Sequence, residues 1–428
     1  MHILKIIHGY PPDYNAGSEV YSHSVCTELA KTNRVSVFTR EENPYTRDFT
    51  ISKRAIGTNT NLEIYLMNNP HGKDGYRHEE IDNAFASLVE QLKPDIAYIG
   101  HLNHLSTGLV DVLYEKKVPI VFMLHDFWLM CPRGQFLTRS IGKGNNFALC
   151  NKQDDRKCAC DCYEVYFSGQ ASCRESDICA WQEWVHNRME EMKSIASKVN
   201  RFIAPSQYLR GRFIDAFGIP QDRIAYLDYG FPRERLCALR KKRKDNEFTF
   251  GYIGTHIPAK GVDLLITAFL QLKRPSRLKI FGRHNGQSTN ALKKLAGQAG
   301  DRIEFCGEYA NGEIVQQVFR NVDAIVVPSI WMENSPLVIH EAQECRVPVI
   351  TADCGGMAEY VHDKVNGLLF RHRDVTSLAT VMEWAIDHPE EIMCIGERGY
   401  LFSDDGHVPS ISEHCERLME IFGNELRK

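Results

Sequence analysis

The chain's clearest pair of chemically useful side chains is two glutamates in the stretch from Val326 to Ile350. The pattern of this stretch predicts a strand, a loop, a helix and a second strand. Glu333 lies in the loop just before the predicted helix, and Glu341 lies on its second turn. The alternative interpretation is a capped helix of an α/β domain that carries two surface glutamates.

The start of this predicted helix is suited to an anion. Asn334 or Ser335 can cap it, and Pro336 suits the first helical position because its missing N–H would be unpaired there. Free N–H groups and the positive end of the helix dipole favour negative charge in the loop. A carboxylate at Glu333 can share this site with a phosphate only if it faces a neutral, hydroxyl-rich part of the same ligand. A nucleotide-sugar has both parts.

The spacing of Glu333 and Glu341, E-x7-E, resembles that of retaining glycosyltransferases of family 4, which have the GT-B fold. The flanking segments PS, SPL, EAQECRVPVI and CGG resemble that family too. The resemblance implies that Glu333 contacts the transferred sugar and that Glu341 contacts the nucleotide ribose. It also implies that the residues between them at the helix start bind the donor; these are Asn334, Ser335, Pro336 and Leu337.

A second predicted strand–loop–helix unit, beginning at Phe248, carries a lysine beside a helix start. Gly254 and Lys260 match the family's G-x5-K-G pattern, which implies a diphosphate held by the lysine and free backbone amides. The family commonly has an arginine close after the glycine, where this chain has Thr255 and His256. Either the site has one cation fewer, or Arg283 or His256 supplies it, and Arg283 is preferred. A surface lysine is the alternative.

Tyr309 follows the predicted strand Ile303–Cys306, near the point where the family binds the base. It could stack on that base or be an ordinary loop tyrosine.

The first part of the chain supplies two further candidates. Gly17 lies in the loop after the predicted strand Ile3–Ile7, where the family usually has a Gly-Gly pair and this chain has Ala16-Gly17. His125 follows the predicted strand Val118–Leu124, and ligands collect at the carboxyl ends of such strands. The resemblance implies that His125 contacts the donor sugar. A connecting turn and a packing histidine are the respective alternatives.

Cysteines crowd the segment that follows His125. Seven of the 14 cysteines fall between Cys131 and Cys179. A structural zinc bound by thiolates is one interpretation, and disulfides or free thiols are the others, since the spacing is not a C-x2-C pair repeated. The proposed ligands come from a set of six: Cys150, Cys158, Cys160, Cys162, Cys173 and Cys179.

Alternating strand and helix patterns predict an α/β fold, with two Rossmann-like, doubly wound parallel-sheet domains facing a central cleft. The expected acceptor-side domain is 1–235, with a cysteine-rich insert at 131–180. The nucleotide-sugar-binding domain is expected at 246–405, and a final helix at about 408–428 is expected to pack back on the first domain.

Composition excludes several classes of protein. A formal net charge of −4 gives no global basic field, so nucleic acid is not expected as a partner. No apolar run approaches the roughly 20 residues that cross a bilayer, and the first residues do not form a signal peptide, so we expect a cytoplasmic protein. The basic run Arg240–Lys244 is either a solvated linker or a contact with anionic lipid at the inner membrane face.

The sequence therefore predicts transfer of a sugar, with retention, from a nucleotide diphosphate sugar such as UDP-glucose to a glycan or lipid-linked saccharide in polysaccharide biosynthesis. No D-x-D pair lies in the two candidate loops, so no metal cofactor is expected for catalysis. The alternatives are a nucleotide-sugar epimerase or another GT-B enzyme such as a phosphorylase, and a non-catalytic nucleotide-sugar-binding protein.

Overall fold

The structure, a computed structural model, describes residues 1–54, 61–69, 75–138, 147–163, 175–238 and 247–428. The chain divides into two compact units. Unit 1 is Met1–Gly230 together with Pro409–Lys428, and unit 2 is Phe231–Val408.

Unit 1 is built on a sheet whose central strands are almost wholly buried. Such strands are continuous apolar runs because helices cover both faces of a parallel sheet. The strand order is β3-β4-β2-β1-β5-β6-β7-β8, and all neighbours are parallel except β3 and β4. The strands are β1 (His2–Ile6), β2 (Arg34–Glu41), β3 (Ile51–Arg54), β4 (Leu62–Asn68), β5 (Ile96–Ile99), β6 (Ile120–Met123), β7 (Arg201–Ala204) and β8 (Ile224–Tyr226).

The helices of unit 1 alternate with these strands along the chain. Their buried positions recur every three or four residues, as expected for helices that pack one face on a sheet. They are α1 (Gly17–Leu29), α2 (Glu79–Leu92), α3 (Gly108–Glu115), α4 (Asp155–Cys158), α5 (Glu175–Lys198) and α6 (Gln207–Arg212).

Unit 2 has a parallel sheet of its own in the order β11-β10-β9-β12-β13-β14. The strands are β9 (Phe248–Ile253), β10 (Ser276–Phe281), β11 (Ile303–Gly307), β12 (Ala324–Val327), β13 (Val349–Ala352) and β14 (Gly367–Phe370). The helices are α7 (Val262–Phe269), α8 (Gly286–Ala296), α9 (Ile314–Gln317), α10 (Leu337–Glu344), α11 (Gly355–Tyr360), α12 (Val375–Asp387) and α13 (Pro389–Gly396).

A final helix, α14 (Ile411–Leu426), belongs to unit 1. It begins with a capping box, in which the Ser410 side chain accepts from the Glu413 N–H and the Glu413 carboxylate accepts from the Ser410 N–H. His414 fixes the helix to the rest of the unit. Its Nδ1 lies 2.8 Å from the carbonyl oxygen of Asp228, and its Nε2 lies 2.7 Å from the Tyr21 hydroxyl.

The predicted fold class, two parallel-sheet α/β domains, is confirmed. Several elements have no counterpart in the prediction, among them the antiparallel edge strand β3, the helix α8 and the last strand β14. The basic run Arg240–Lys244 lies outside the described residues. In the part of the chain that is described, no helix is both long and apolar enough to span a bilayer.

Candidate active site

In unit 2, two loops meet at the carboxyl edge of the sheet. One follows β9 and leads to α7, and the other follows β12 and leads to α10; because these strands are parallel neighbours, both loops leave the same edge. The Ile330 N–H donates to the Ala259 carbonyl oxygen at 3.0 Å, which joins the loops directly.

This junction brings together Lys260 and Glu333, which the sequence separates by 73 positions. Lys260 Nζ donates to Glu333 Oε1 at 2.6 Å, and the Ser329 hydroxyl donates to the same oxygen at 2.6 Å. Glu333 is buried, whereas Lys260 keeps about a third of its side chain exposed. The buried carboxylate is therefore held by one cation and one hydroxyl, with the cation at the solvent side.

Gly261 makes this approach of the loops feasible. Its φ is +66°, and a Cβ at this position would lie 2.0 Å from the Pro328 carbonyl oxygen. Any other residue would push the two loops apart.

The start of α11 packs against the loop that carries Glu333. The Gly356 N–H donates to the Glu333 carbonyl oxygen at 2.7 Å, and a Cβ on Gly356 would lie 1.4 Å from the Asn334 carbonyl oxygen. Because Gly355 and Gly356 have no side chains, the backbone of this loop can pack directly against the start of α11.

The start of α10 differs from the sequence prediction. The helix begins at Leu337 with Pro336 at the N-cap position, so neither Asn334 nor Ser335 caps it and Pro336 is not its first residue. The cause is the backbone of Pro336, whose ψ of 116° is extended rather than helical. Asn334 and Ser335 are instead buried in the loop beside Glu333.

Glu341 lies on the second turn of α10, eight residues after Glu333. Burial raises the pKa of its carboxyl group to about 7, and Arg235 and His340 counteract that shift in part. Burial also raises the pKa of Tyr309, and the nearby Glu341 adds to this effect. Glu341 and Tyr309 therefore lie within electrostatic range of one another.

The remaining predicted cations of unit 2 lie on two neighbouring loops, His256 after β9 and Arg283 after β10. The His256 N–H donates to the Arg283 carbonyl oxygen at 3.1 Å, and the Gly254 N–H donates to that of Phe281, also at 3.1 Å. The Arg283 side chain is exposed. The His256 ring is buried, with Nδ1 3.2 Å from the Thr289 hydroxyl, and burial together with His284 and Lys293 lowers its pKa. At neutral pH His256 is therefore uncharged.

In unit 1, His125 follows β6 as predicted and lies among aromatic side chains. Its Nδ1 is 2.7 Å from the Tyr229 hydroxyl, and its ring meets that of Tyr21 edge-on. Burial lowers the pKa of His125 well below its ordinary value, and Lys5 and two neighbouring histidines lower it further. His125 is a neutral imidazole at physiological pH. Gly17 is exposed as the first residue of α1.

Sequence reasoning missed a row of side chains beside His125. Glu19 Oε1 lies 3.3 Å from His8 Nε2, the ring centroids of His8 and His101 are 4.6 Å apart, and His101 Nε2 lies 3.3 Å from Asp126 Oδ2. Burial alone would raise the pKa of Glu19, but hydrogen bonds from His8 and Ser18 lower it to about 2. The sequence did contain one indication of this row. His8 and His101 closely follow the strands β1 and β5, and ligands collect at the carboxyl ends of such strands.

A lysine lies in the sheet directly behind this row. Lys5, the fourth residue of β1, is fully buried, and its ammonium lies 3.7 Å from the centre of the Tyr98 ring. Burial lowers its pKa to about 7. Its Nζ has no hydrogen-bond partner within the described ranges.

The described cysteines of the insert are free thiols. Cys150, Cys158 and Cys162 line a small cavity together with Cys131, whereas Cys160 is partly exposed and Cys179 is exposed. Cys173 lies outside the described residues. Across the described ranges, no group of three or more His, Cys, Asp or Glu side chains is already arranged to hold a metal ion.

Comparison with known proteins gives a family match for unit 2. The family model described as glycosyl transferases group 1 matches residues 238–402. The chain is 28% identical over 223 residues to a D-inositol 3-phosphate glycosyltransferase of Nocardia farcinica, covering 48% of this chain and 49% of that protein. It is 30% identical over 207 residues to a GDP-mannose-dependent alpha-(1-6)-phosphatidylinositol monomannoside mannosyltransferase of Mycobacterium tuberculosis, covering 44% of this chain and 53% of that protein. The chain thus spans about half the length of the curated relatives it matches.

Solved structures resemble the whole chain at low sequence identity. HepE of Anabaena, in complex with UDP, has a TM-score of 0.68 and 17% identity, covering 99% of this chain and 100% of that chain. Sucrose-phosphate synthase of Thermosynechococcus elongatus has a TM-score of 0.65 and 16% identity, covering 100% and 97%. The chain therefore has the GT-B fold of these proteins, and its unit 2 carries the similarity to group 1 glycosyl transferases.

Proposed function

We propose that this chain is a retaining glycosyltransferase that takes a sugar from a nucleotide diphosphate sugar and transfers it to a glycan or a lipid-linked saccharide. A UDP-sugar such as UDP-glucose is the proposed donor, and polysaccharide biosynthesis is the proposed setting. The group 1 family match, the names of the curated relatives and the UDP in the HepE complex support the proposal. The proposed place of action is the cytoplasm, with a peripheral contact at the inner membrane face.

The contact between Lys260 and Glu333 carries the proposal. Lys260 keeps about a third of its side chain exposed, lies just before α7 and contacts the loop that leads to α10, so its ammonium can hold a diphosphate. A buried carboxylate accepting hydrogen bonds from a lysine and a serine can in turn accept from sugar hydroxyls. When the donor binds, the contact between Lys260 and Glu333 is replaced by two new ones. Lys260 then binds the diphosphate, and Glu333 accepts hydrogen bonds from the sugar.

The leaving diphosphate carries negative charge as the glycosidic bond breaks. Lys260 and the free backbone N–H groups at the two helix starts would stabilise that charge, and fixed donors of this kind contribute strongly to catalysis. The proposed transfer needs no metal ion, and its rate is expected to be unchanged when Mg²⁺ and Mn²⁺ are left out of the assay.

The two glutamates have separate proposed roles. Glu341, within electrostatic range of Tyr309, is proposed to bind the ribose, and Glu333 is proposed to act on the transferred sugar. In unit 1, the proposed donor contact is His125, as a neutral hydrogen-bonding group. Glu341→Ala is expected to weaken nucleotide binding, whereas Glu333→Ala is expected mainly to slow transfer. Equal effects of both variants on binding and on rate would contradict this division.

Thermal-shift screening against UDP-, GDP- and ADP-sugars, followed by mass spectrometry of the donor, tests the proposal. The expected result is stabilisation by one nucleotide class and slow donor hydrolysis that is abolished in Glu333→Ala. Conversion of the donor to an isomer without acceptor would indicate an epimerase. A requirement for inorganic phosphate would indicate a phosphorylase, and binding without turnover over a panel of acceptors would indicate a sensor.

A further inference from the structure

Four cysteines from three separate segments of unit 1 line one small cavity. Cys131 comes from the loop after β6, Cys150 from the segment before α4, and Cys158 and Cys162 from α4 and the turn that follows it. The cavity has a volume of about 10 Å³, and almost all of its accessible lining is apolar. A space of this size holds about one water-sized particle.

Several contacts hold the backbone around this cavity in place. The Cys131 N–H donates to the Phe127 carbonyl oxygen, and the Cys150 N–H donates to that of Phe136, both at 2.7 Å. Cys158 and Cys162 pack with Val185 and Met189 of α5 in one apolar cluster. Cys158 interacts electrostatically with the other three thiols, so all three lie near it.

We propose that Cys131, Cys150, Cys158 and Cys162 are the ligands of a structural tetrathiolate site that takes Zn²⁺. Four thiolates in tetrahedral arrangement at about 2.3 Å are the usual ligand set of structural zinc. Within the described residues, these thiols are not arranged as a set that could hold a metal ion. A change of χ1 between staggered rotamers moves a cysteine sulfur by about 3 Å, and the proposal requires the four thiols to rotate onto the ion in this way.

Charge around the cavity suits this ligand set. Each thiol loses a proton when it binds the metal, so Zn²⁺ with four thiolates has a net charge of −2. Lys157, Arg133 and Asp161 line the cavity, so two cations face one carboxylate there. These two cations would offset part of the net charge of the complex.

The structure changes the ligand set that the sequence suggested. Cys131 was counted in the cysteine cluster but was not among the predicted ligands. It lines the cavity, whereas Cys160 and Cys179, which the sequence offered, do not. The latter two therefore provide matched control positions within the same insert.

The first test is metal content. The full chain is purified under reducing conditions from zinc-supplemented cells and analysed by inductively coupled plasma mass spectrometry. We expect about one zinc per chain, at least a tenfold lower content in Cys131→Ser and Cys158→Ser, and no change in Cys160→Ser or Cys179→Ser. Zinc that survives Cys131→Ser overturns the proposal.

A second test does not depend on the folding of the serine variants. The reduced, metal-free full chain is titrated with Zn²⁺, and we expect uptake of one ion with proton release. Cys131→His, which can still ligate zinc, is expected to restore binding lost in Cys131→Ser. A reduced chain that takes up no zinc, or disulfides joining these cysteines in the protein as purified from cytoplasm, overturns the proposal.

Zinc at this site would also anchor the loop that begins at His125. The Phe127 N–H donates to the Gly134 carbonyl oxygen, and Cys131 closes on Phe127. Metal loading is therefore expected to slow amide hydrogen exchange across residues 127–134 at least tenfold, while exchange in unit 2 is unchanged. Equal exchange in loaded and metal-free chains would contradict this anchoring role.

Discussion

Lys260 and Glu333 form a partly buried ion pair at 2.6 Å. If Lys260 is replaced by Met, the buried Glu333 carboxylate keeps Ser329 but loses its cation, and the diphosphate loses a positive charge. We expect Lys260→Met to weaken UDP binding at least tenfold, which is about 1.4 kcal/mol or more, as measured by calorimetry. Lys273→Met, on an exposed lysine of the same unit, should bind UDP like the parent chain.

Glu341 gives a residue-scale prediction with a defined pH window. Its folded-state pKa of about 7 lies above the ordinary value of 4.5, so ionisation at this position destabilises the folded chain. The effect is absent below pH 4.5, grows between pH 4.5 and 7, and is complete above pH 7, where it amounts to about 3 kcal/mol. Glu341→Gln should therefore raise the urea midpoint at pH 8 and leave it nearly unchanged at pH 4.5. An equal gain at both pH values would show that ionisation is not the cause.

At the scale of elements, α11 controls the loop that carries Glu333. A methyl group at Gly356 cannot be accommodated 1.4 Å from the Asn334 carbonyl oxygen, so Gly356→Ala must displace residues 333–334. We expect a loss of about 1–3 kcal/mol of stability and a reduction of donor turnover. Gly312→Ala is the matched control, because a Cβ there has no neighbour within 4 Å. The same turnover in both variants would show that this loop tolerates displacement.

Most strands of the two sheets could be predicted from the sequence because each is a short buried apolar run between turn residues. Strand β3, ISKR, could not be predicted, because its two middle residues are polar and exposed and it therefore lacks a buried apolar run. The start of α10 was wrong because the extended ψ of Pro336 is not encoded by its residue type. Lys260 and Glu333 were each predicted from local motifs, but their 2.6 Å contact depends on the pairing of β9 with β12. The buried position of Lys5 was not predicted, because a single lysine in an apolar strand matches no sequence motif.

At the scale of a whole unit, two buried basic groups make the stability of unit 1 depend on pH in different ranges. Lys5, with its pKa lowered from 10.5 to about 7, is charged in both folded and unfolded states below pH 7 and neutral in both above pH 10.5. Its full destabilising effect, on the order of 5 kcal/mol, therefore applies below pH 7 and disappears as pH rises to 10.5. His414, with a pKa lowered to about 4, opposes folding only as pH falls below 6.5.

Lys5→Met should accordingly stabilise the chain at pH 7 by several kcal/mol and change its stability little at pH 10.5. Urea unfolding of both chains across this range measures the difference. A constant gain at every pH would assign the effect to packing of the methionine rather than to loss of the charge.

The return of α14 to unit 1 has a consequence for the order of events on the ribosome. Unit 2, residues 231–408, is complete in sequence before α14 is synthesised, whereas unit 1 still lacks the helix that His414 fastens to Tyr21 and Asp228. Domains usually mature in the order of their translation. Here unit 1 is translated first but can complete its fold only after unit 2 has been synthesised. Nascent chains stalled just before Pro409 should therefore contain a protease-resistant unit 2 and a protease-sensitive unit 1.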